Sequence, residues 1–344
     1  MIDRWSDIIN DGIDHSVSDQ LLRKNITEVL GMEYLKSLRV IKVKKTLIDI
    51  FIVLSLLFVP IWVIAETNQS GYSVFVTLMF IFVIGIGFNW LNVQVHEASH
   101  FLLFEDKKLN DRIANYVFGI VGFQLVEDYR SSHLIHHSSL HLENDPDRFF
   151  YQDEINTKRK FATFLLRCAF GYAVFNKLRH STFIPGSEDI TTSDKKRLLG
   201  ILFWLCIFGG VFIIYGIKSL VACIAAVFLG LCSVFPVLLA IRTWVQHKDP
   251  EPQMIAKIVS KSRERNFVAR TSVANIFEHT VIGARMDYHF EHHLFPRIPH
   301  YNLKLLHKKL VELELFNVDS IATLATENFI VESLKLSSSS KVSI

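Results

Sequence analysis

The stretch YHFEHHLFP, residues 288–296, places His289, His292 and His293 within five positions of a chain that is otherwise rich in apolar residues. Side chains three and four positions apart lie on the same face of a helix. If the stretch is helical, its imidazoles point in one direction, as the ligands of a shared metal ion must.

Histidines recur with similar spacing in two other stretches, and one more follows an apolar run. The stretches are HEASH at residues 96–100, HLIHH at 133–137 and WVQH at 244–247. A solvated surface normally carries Lys and Glu rather than clustered histidine. We therefore predict a metal site, whose candidate ligands are nine of the 15 histidines: His96, His100, His133, His136, His137, His247, His289, His292 and His293.

The composition indicates a membrane protein, because 50% of the 344 residues are hydrophobic and only 21% are charged. A helix needs about 20 apolar residues to cross the hydrocarbon core. The stretches that meet this requirement, or nearly so, are 46–65, 72–92, 198–217 and 219–241. Short links join the first two and the last two, so each pair is predicted to form a helical hairpin.

The predicted fold is an all-α integral membrane protein in which four transmembrane helices form two hairpins and a cytoplasmic helical cap carries the histidine stretches. Residues 1–45 are predicted to be a cytoplasmic N-terminal segment, 46–335 the membrane domain and 336–344 a disordered tail. Two shorter apolar stretches, 116–126 and 161–175, are predicted to lie at the membrane surface or against the hairpins. A re-entrant pair is the alternative.

The basic residues predict the orientation. Of the 37 Lys and Arg residues, 8 precede the first hairpin, 14 lie between the hairpins, 14 follow the second, and only Lys218 lies within a hairpin. Positive charge is retained on the cytoplasmic side of membranes. We expect both termini and the histidines to be cytoplasmic, in a bacterial inner membrane or an endoplasmic reticulum.

Charge and cysteine content exclude other classes. The net charge of +3 and the lack of a basic run interleaved with aromatics argue against a nucleic-acid partner. The four cysteines include no CxxC pair, so neither a disulfide framework nor a cysteine zinc site is expected.

The number of candidate ligands predicts two metal ions. Structural zinc takes four protein ligands and catalytic zinc usually three, so eight or nine histidines saturate two metals. Imidazole suits zinc, copper, iron and nickel alike. Two redox-active metals beside a membrane suggest oxygen chemistry on a lipid, and we expect iron.

HEASH, HLIHH and HFEHHLFP, with membrane hairpins between the first two and the last, resemble the three histidine boxes of the membrane fatty acid desaturase and hydroxylase family. The likeness covers roughly residues 46–310. It implies a non-haem centre of two Fe ions, O2 as co-substrate, and desaturation of an acyl-lipid or acyl-thioester. RTWVQH resembles the family's R-x-x-x-E-H variant with Gln246 in place of the acid, which makes His247 the least regular ligand.

The resemblance also implies partners. The lipid acyl substrate lies in the membrane, and two electrons must be supplied. The sequence contains no dinucleotide-binding GxGxxG after a strand, no CxxC cluster and no haem-binding HPGG. An external donor is therefore expected, either ferredoxin or cytochrome b5 with its reductase.

Three alternatives stay open at this point. Hydroxylation of a lipid, sphingoid base, alkane or carotenoid by the same family differs from desaturation only in the geometry at the metals. HEASH also satisfies the HExxH pattern of an intramembrane zinc protease, with Glu97 as general base. A histidine-rich metal transporter or sensor is disfavoured, because the four predicted spans contain no histidine.

Several other polar residues lie near the boxes in sequence. Asn89 and Asn92 extend the stripe of His96 and His100, which is explained by hydrogen bonding between helices or by a polar path to the metals. His141, His279 and His300 are left out of the ligand set. Six carboxylates also lie near the boxes in sequence. We expect each to be a surface charge or a helix cap rather than a hydrogen-bond partner of a ligating histidine. They are Glu97, Asp145, Asp147, Glu278, Asp287 and Glu291.

Overall fold

The structure is a computed structural model that describes residues 23–24, 26–68, 73–140, 142–151, 155, 157–181, 190–247, 269, 271–272 and 275–313. The predicted tail at 336–344 and His141 lie outside these residues. Helices account for most of the described chain, where the one β-type pairing is an isolated bridge between Thr271 and Tyr288. The predicted all-helical class is confirmed.

Twelve α-helices of six or more residues lie along the described chain. They are α1 (Met32–Leu38), α2 (Val43–Thr67), α3 (Ser73–Ser99), α4 (Lys107–Ile113), α5 (Val126–Ser139), α6 (Lys158–Ala169), α7 (Tyr172–Ser181), α8 (Ile190–Leu229), α9 (Phe235–His247), α10 (Ile276–Val281), α11 (His289–Leu294) and α12 (His300–Glu312). Short π-helical segments, Ala114–Gly119 and Gly230–Val234, follow α4 and α8.

Three continuous helical stretches are long and apolar enough to cross a membrane. They are Met32–Thr67, Val74–Ser99 and Lys195–His247. Large apolar side chains such as Phe51 on α2 and Ile213 on α8 are 72% and 82% exposed, as lipid-facing residues are. The chain therefore has the helices of a membrane protein.

The third of these stretches bends back on itself at Gly216, whose backbone is not helical (φ 77°, ψ −176°). After this point Ser219 Oγ donates a hydrogen bond to Ala65 O, and Cys223 Sγ donates one to Ile61 O. Because chain order is reversed between the two partners, this part of α8 runs antiparallel to α2. Glycine suits Gly216 because side-chain-bearing residues rarely adopt positive φ.

The main hydrophobic core joins helices that are distant in sequence. Leu35 and Leu38 of α1 are buried in the same cluster as Leu303 and Leu306 of α12 and Val95 of α3. The start of the described chain therefore packs against the helix that follows the third histidine box. The domain boundary between residues 45 and 46 stays a prediction.

The helix α3 continues past residue 92, where the apolar run was expected to end, as far as Ser99. Val93, Val95 and Ala98 are at most 1% exposed. The helix is longer than the apolar run because its last turns pack inside the protein core and not against lipid. His96 accordingly lies on α3 itself, and His100 follows directly after its end.

The close crossing of α3 and the segment after α8 depends on two glycines. A Cβ atom at Gly85 would lie 2.3 Å from Val234 Cγ1, and one at Gly230 would lie 2.7 Å from Ile84 Cγ2. Small residues allow membrane helices to approach at backbone distance. This crossing sets the position of α9, at whose end His247 lies.

We predict that Gly85→Ala lowers the stability of the protein, because overfilling a packed contact costs about 1–3 kcal/mol. Gly209 provides the matched control, since it lies in α8 and a Cβ atom added there would have no neighbouring atom within 4 Å. Gly209→Ala should leave the thermal midpoint unchanged or slightly raised. Thermal unfolding of both variants in one detergent measures the difference, and equal midpoints would contradict the packing described here.

Candidate metal centre

The nine histidines predicted as ligands meet in the interior as two neighbouring groups. In each group the candidate ligand atoms all lie within 4.8 Å of one another. The five-histidine group consists of His96, His100, His133, His137 and His292. The four-histidine group consists of His136, His247, His289 and His293.

Four helices bring these side chains together. The α3 end supplies the first box, α5 the second and α11 the third, while His247 is the last residue of α9. The expectation that the imidazoles of one stretch share a single ion is wrong for α5 and α11. On α5, His133 and His137 face one group and His136 the other; on α11, His292 faces the first group and the remaining two histidines face the second. The two groups therefore share their supporting helices.

The ring nitrogens of neighbouring histidines face each other at short range. Nε2 of His133 lies 3.0 Å from that of His100 and 2.9 Å from that of His137. In the other group, Nε2 of His289 lies 2.9 Å from that of His247 and 3.1 Å from that of His293. Facing Nε2 atoms cannot all be satisfied by protons, because a neutral imidazole has one N–H.

These separations fit a metal ion between the nitrogens. Two nitrogens that each lie about 2.1 Å from an ion are about 3.0 Å apart at right angles and about 3.4 Å apart at the tetrahedral angle. The observed values for the facing pairs, 2.9 to 3.2 Å, lie near this range, and the other candidate ligand atoms of each group lie within 4.8 Å of one another. The donor set therefore fits a metal ion in each group, and imidazole ligands suit zinc, copper, iron and nickel alike.

Burial keeps these imidazoles neutral and ready to bind metal. Burial, together with the neighbouring His96, lowers the pKa of His100 to about 3. Burial and the surrounding histidines hold the pKa values of His133, His137, His292 and His293 well below the usual 6.5. Neutral imidazole is the form that ligates metal.

His136 is the exception, because it faces a carboxylate. Its Nδ1 lies 2.9 Å from Asp145 Oδ1, and Tyr151 donates its hydroxyl proton to the same carboxylate. Burial lowers the pKa of His136, but the hydrogen bond and charge of Asp145 outweigh it and raise that pKa overall. An acceptor on Nδ1 leaves Nε2 free for a metal and fixes the ring.

The expectation that the nearby carboxylates are surface charges is wrong for five of the six. Glu97, Asp145, Glu278, Asp287 and Glu291 are all buried. Asp147 is partly buried and lines the cavity described below. The physical reason is tertiary contact with histidines: Asp145 lies against the second ring nitrogen of His136, while Glu97, Asp287 and Glu291 lie against histidines outside the two groups.

Several contacts of these carboxylates were not indicated by the sequence. Glu291 accepts a hydrogen bond from Thr271 and lies 2.5 Å from His307 Nδ1, while Asp287 contacts His279. Glu97 contacts His300. His279 and His300, which were left out of the ligand set, thus bind carboxylates and lie outside both histidine groups.

A polar cavity of about 40 Å³ adjoins both groups, large enough for a few waters or a small molecule. Buried Arg242 reaches it and donates from Nη2 to Asn92 Oδ1 at 3.0 Å. Asn89 instead donates to the backbone oxygens of Val281 and Ile282. Of the two asparagines in the predicted polar stripe, Asn92 therefore lines the cavity, and Asn89 binds the backbone at the end of α10.

The arrangement disfavours the protease alternative. A zinc hydrolase needs three protein ligands and a free carboxylate as general base. Here His96 and His100 share one group with His133, His137 and His292, so five histidines lie where a zinc hydrolase needs three ligands. The remaining boxes also join the same two groups, where a protease would leave them without a role.

Comparison with known proteins agrees with the geometry. A family profile described as fatty acid desaturase matches residues 72–319, a range that contains all nine histidines. Dihydrorhizobitoxine desaturase of Bradyrhizobium elkanii is 30% identical, over 63% of this chain and 62% of that protein. The chain thus spans less than two thirds of the length of this relative.

We predict that the metal-free protein loses stability as the pH falls from about 7.5 to about 5.5. Unfolded histidines take up protons near pH 6.5, whereas the partly buried His100 does not until its pKa of about 3. The unfolded state then binds more protons, so at pH 5.5 His100 alone lowers the unfolding free energy by on the order of 1 kcal/mol. Melting in detergent after chelation checks this, and a midpoint equal or higher at pH 5.5 would contradict it.

Proposed function

Because the chain belongs to the fatty acid desaturase family, we propose that it is an oxygen-dependent desaturase that introduces a C=C bond into a lipid acyl chain. The family makes the protein an oxidoreductase. The observation that supports the proposal most is the meeting of nine histidines, seven of them buried and two partly buried, in two adjacent groups whose nitrogens are spaced for metal ions.

We propose that each group holds one iron. His96, His100, His133, His137 and His292 would hold the first, and His136, His247, His289 and His293 the second. Once bound, two irons supply the activation of O2 that removal of hydrogen from an unactivated methylene requires. The protein's own groups keep the imidazoles neutral, orient them through carboxylates such as Asp145, and limit water to a small polar cavity.

His247 is included although Gln246 replaces the acid of the related motif. Gln246 Nε2 donates to Met286 O at 2.6 Å, so it fixes α9 to the segment before α11. The His247 ring lies 4.7 Å from that of His289. The amide thus performs a positioning role at this point, and the loss of a carboxylate does not remove His247 from its group.

The proposed topology has four spans, with both hairpins open toward the metal centre. Before Gly216, the Trp204 ring lies 6.2 Å from that of Phe58, and after it Ser219 bonds to Ala65 near the end of α2. The Gly216 bend therefore lies at the end of α2 remote from the histidines. With the distribution of basic residues, this supports a cytoplasmic metal centre and cytoplasmic termini.

The proposed co-reactants are O2, an acyl-lipid or acyl-thioester, and two electrons from an external ferredoxin or cytochrome b5 with its reductase. Hydroxylation by the same centre is the alternative. The two outcomes differ in whether oxygen is returned to the substrate carbon, so the fate of the O2 atoms separates them.

We predict that cells expressing the protein accumulate a lipid that is two hydrogens lighter than its precursor and contains no oxygen from 18O2. Mass spectrometry of total lipids under 18O2 measures both properties. An alcohol labelled with 18O would instead identify a hydroxylase. No oxygen-dependent change in any lipid would contradict both assignments.

The matched variants are His136→Ala and His292→Ala, each of which removes one ligand from one group. Both should abolish product and lower the iron content while the protein still inserts into the membrane, since neither residue lies on an apolar outer face. Lys309→Gln provides a control, because it changes an exposed side chain paired with Glu312. Full activity in either histidine variant would contradict the proposed ligand set.

A further inference from the structure

We propose that His300 is a positioning residue for the five-histidine site. It belongs to a series of contacting side chains that leads from His96 toward the surface, through Glu97, His300, Asp49 and Arg285. The inference rests on the proposed function, because it takes the five-histidine group as a metal site. The inference adds that different carboxylates orient the histidines of the two sites, so a mutation of one carboxylate or its partner affects metal binding at one site only.

The inner end of this series is the contact between His96 and Glu97. His96 Nδ1 lies 3.7 Å from Glu97 Oε1. Neither ring nitrogen of His96 has a hydrogen-bond partner among the described residues, and neither does Glu97 Oε1. A ligating histidine binds the ion through one nitrogen and donates through the other to an oriented acceptor. Glu97 is placed to be that acceptor.

The orientation of Glu97 depends on His300, which begins α12. The backbone N–H of His300 donates to Glu97 Oε2 at 3.0 Å, and its Nδ1 lies 3.1 Å from the same oxygen. On the other side of the ring, Nε2 lies 3.4 Å from Asp49 Oδ2. Both ring nitrogens therefore face carboxylate oxygens, which can only accept. His300 therefore lies between Glu97 and Asp49, with Nδ1 at hydrogen-bond distance from the first and Nε2 at ion-pair distance from the second.

The outer end of this series is an ion pair between helix α2 and the loop before α11. Arg285 Nη1 lies 2.8 Å from Asp49 Oδ1, and the Arg285 guanidinium lies 4.8 Å above the Trp90 ring. The Asp49 side chain is 2% exposed, whereas that of Arg285 is 32% exposed. Charges of alternating sign thus lead from the metal group to the surface, and each buried carboxylate has a cationic partner.

The four-histidine site has a different support. His136 is bound by Asp145, which also accepts from Tyr151, whereas Glu97 and Asp49 contact His300. Loss of an outer partner typically costs about 10- to 100-fold in metal affinity. Substitution in one of these carboxylate–histidine contacts should therefore lower the metal affinity of one site and leave that of the other unchanged. A general loss of folding would weaken both.

The test is titration of the metal-stripped, full-length protein in detergent with Co²⁺, followed by visible absorption. The proposed function requires two bound ions, and His100→Ala identifies the phase of the five-histidine site by weakening it. His300→Gln should weaken that phase by about 10- to 100-fold and leave the other unchanged. Asp145→Asn should do the reverse.

Tyr301→Phe is the local control. Tyr301 adjoins His300 in sequence, but its hydroxyl accepts from the Lys42 N–H outside this series, so both Co²⁺ phases should stay as in the unmodified protein. If His300→Gln is not recovered folded, Asp49→Asn removes the other anchor of the same ring and should weaken the same phase.

Equal weakening of both phases by the His300 and Asp49 variants, or no change in either phase, would overturn the inference. Failure of the unmodified protein to bind two Co²⁺ ions would contradict the proposed function instead. The two failures are therefore distinguishable in one titration.

Discussion

The constraint on which the rest of the structure depends is the enclosure of nine imidazoles, seven of them buried and two partly buried, whose ring nitrogens face one another. Nε2 atoms of neighbouring histidines lie about 3 Å apart in both groups. Facing lone pairs in an apolar interior are unfavourable until a cation binds between them. Burial lowers the pKa values of most of these histidines, so protons do not fill that place. The two groups could therefore each hold a metal ion.

The membrane helices provide the rigidity that this arrangement needs. The extension of α3 to Ser99 and the bend of α8 at Gly216 bring the ends of α3 and α9 to the same side, where α5 and α11 complete the two groups. Buried carboxylates then orient the rings, Asp145 for the four-histidine group and Glu97 for the other. Close backbone approach at Gly85 and Gly230 determines where His247 lies.

The nine candidate ligands that meet in the two groups could be identified from the sequence because the spacing of the histidines is local information. Spacings of three and four residues in HEASH, HLIHH and HFEHH define a helix face without knowledge of the fold. The supports could not be predicted, because their partners are far apart in the chain: Glu97 and His300 are separated by 203 positions, and Asp49 and Arg285 by 236. The same reason explains why the carboxylates expected at the surface are buried. Their burial follows from tertiary contacts that the boxes alone do not indicate.

The central claim, that this desaturase family member holds two irons on nine histidines, is tested most directly by elemental analysis of the protein purified anaerobically in detergent. Iron, zinc and copper are measured per chain, with the protein concentration from amino-acid analysis. The account predicts close to two irons and little zinc or copper. One zinc per chain, with metal loss during purification excluded by reconstitution, would contradict it.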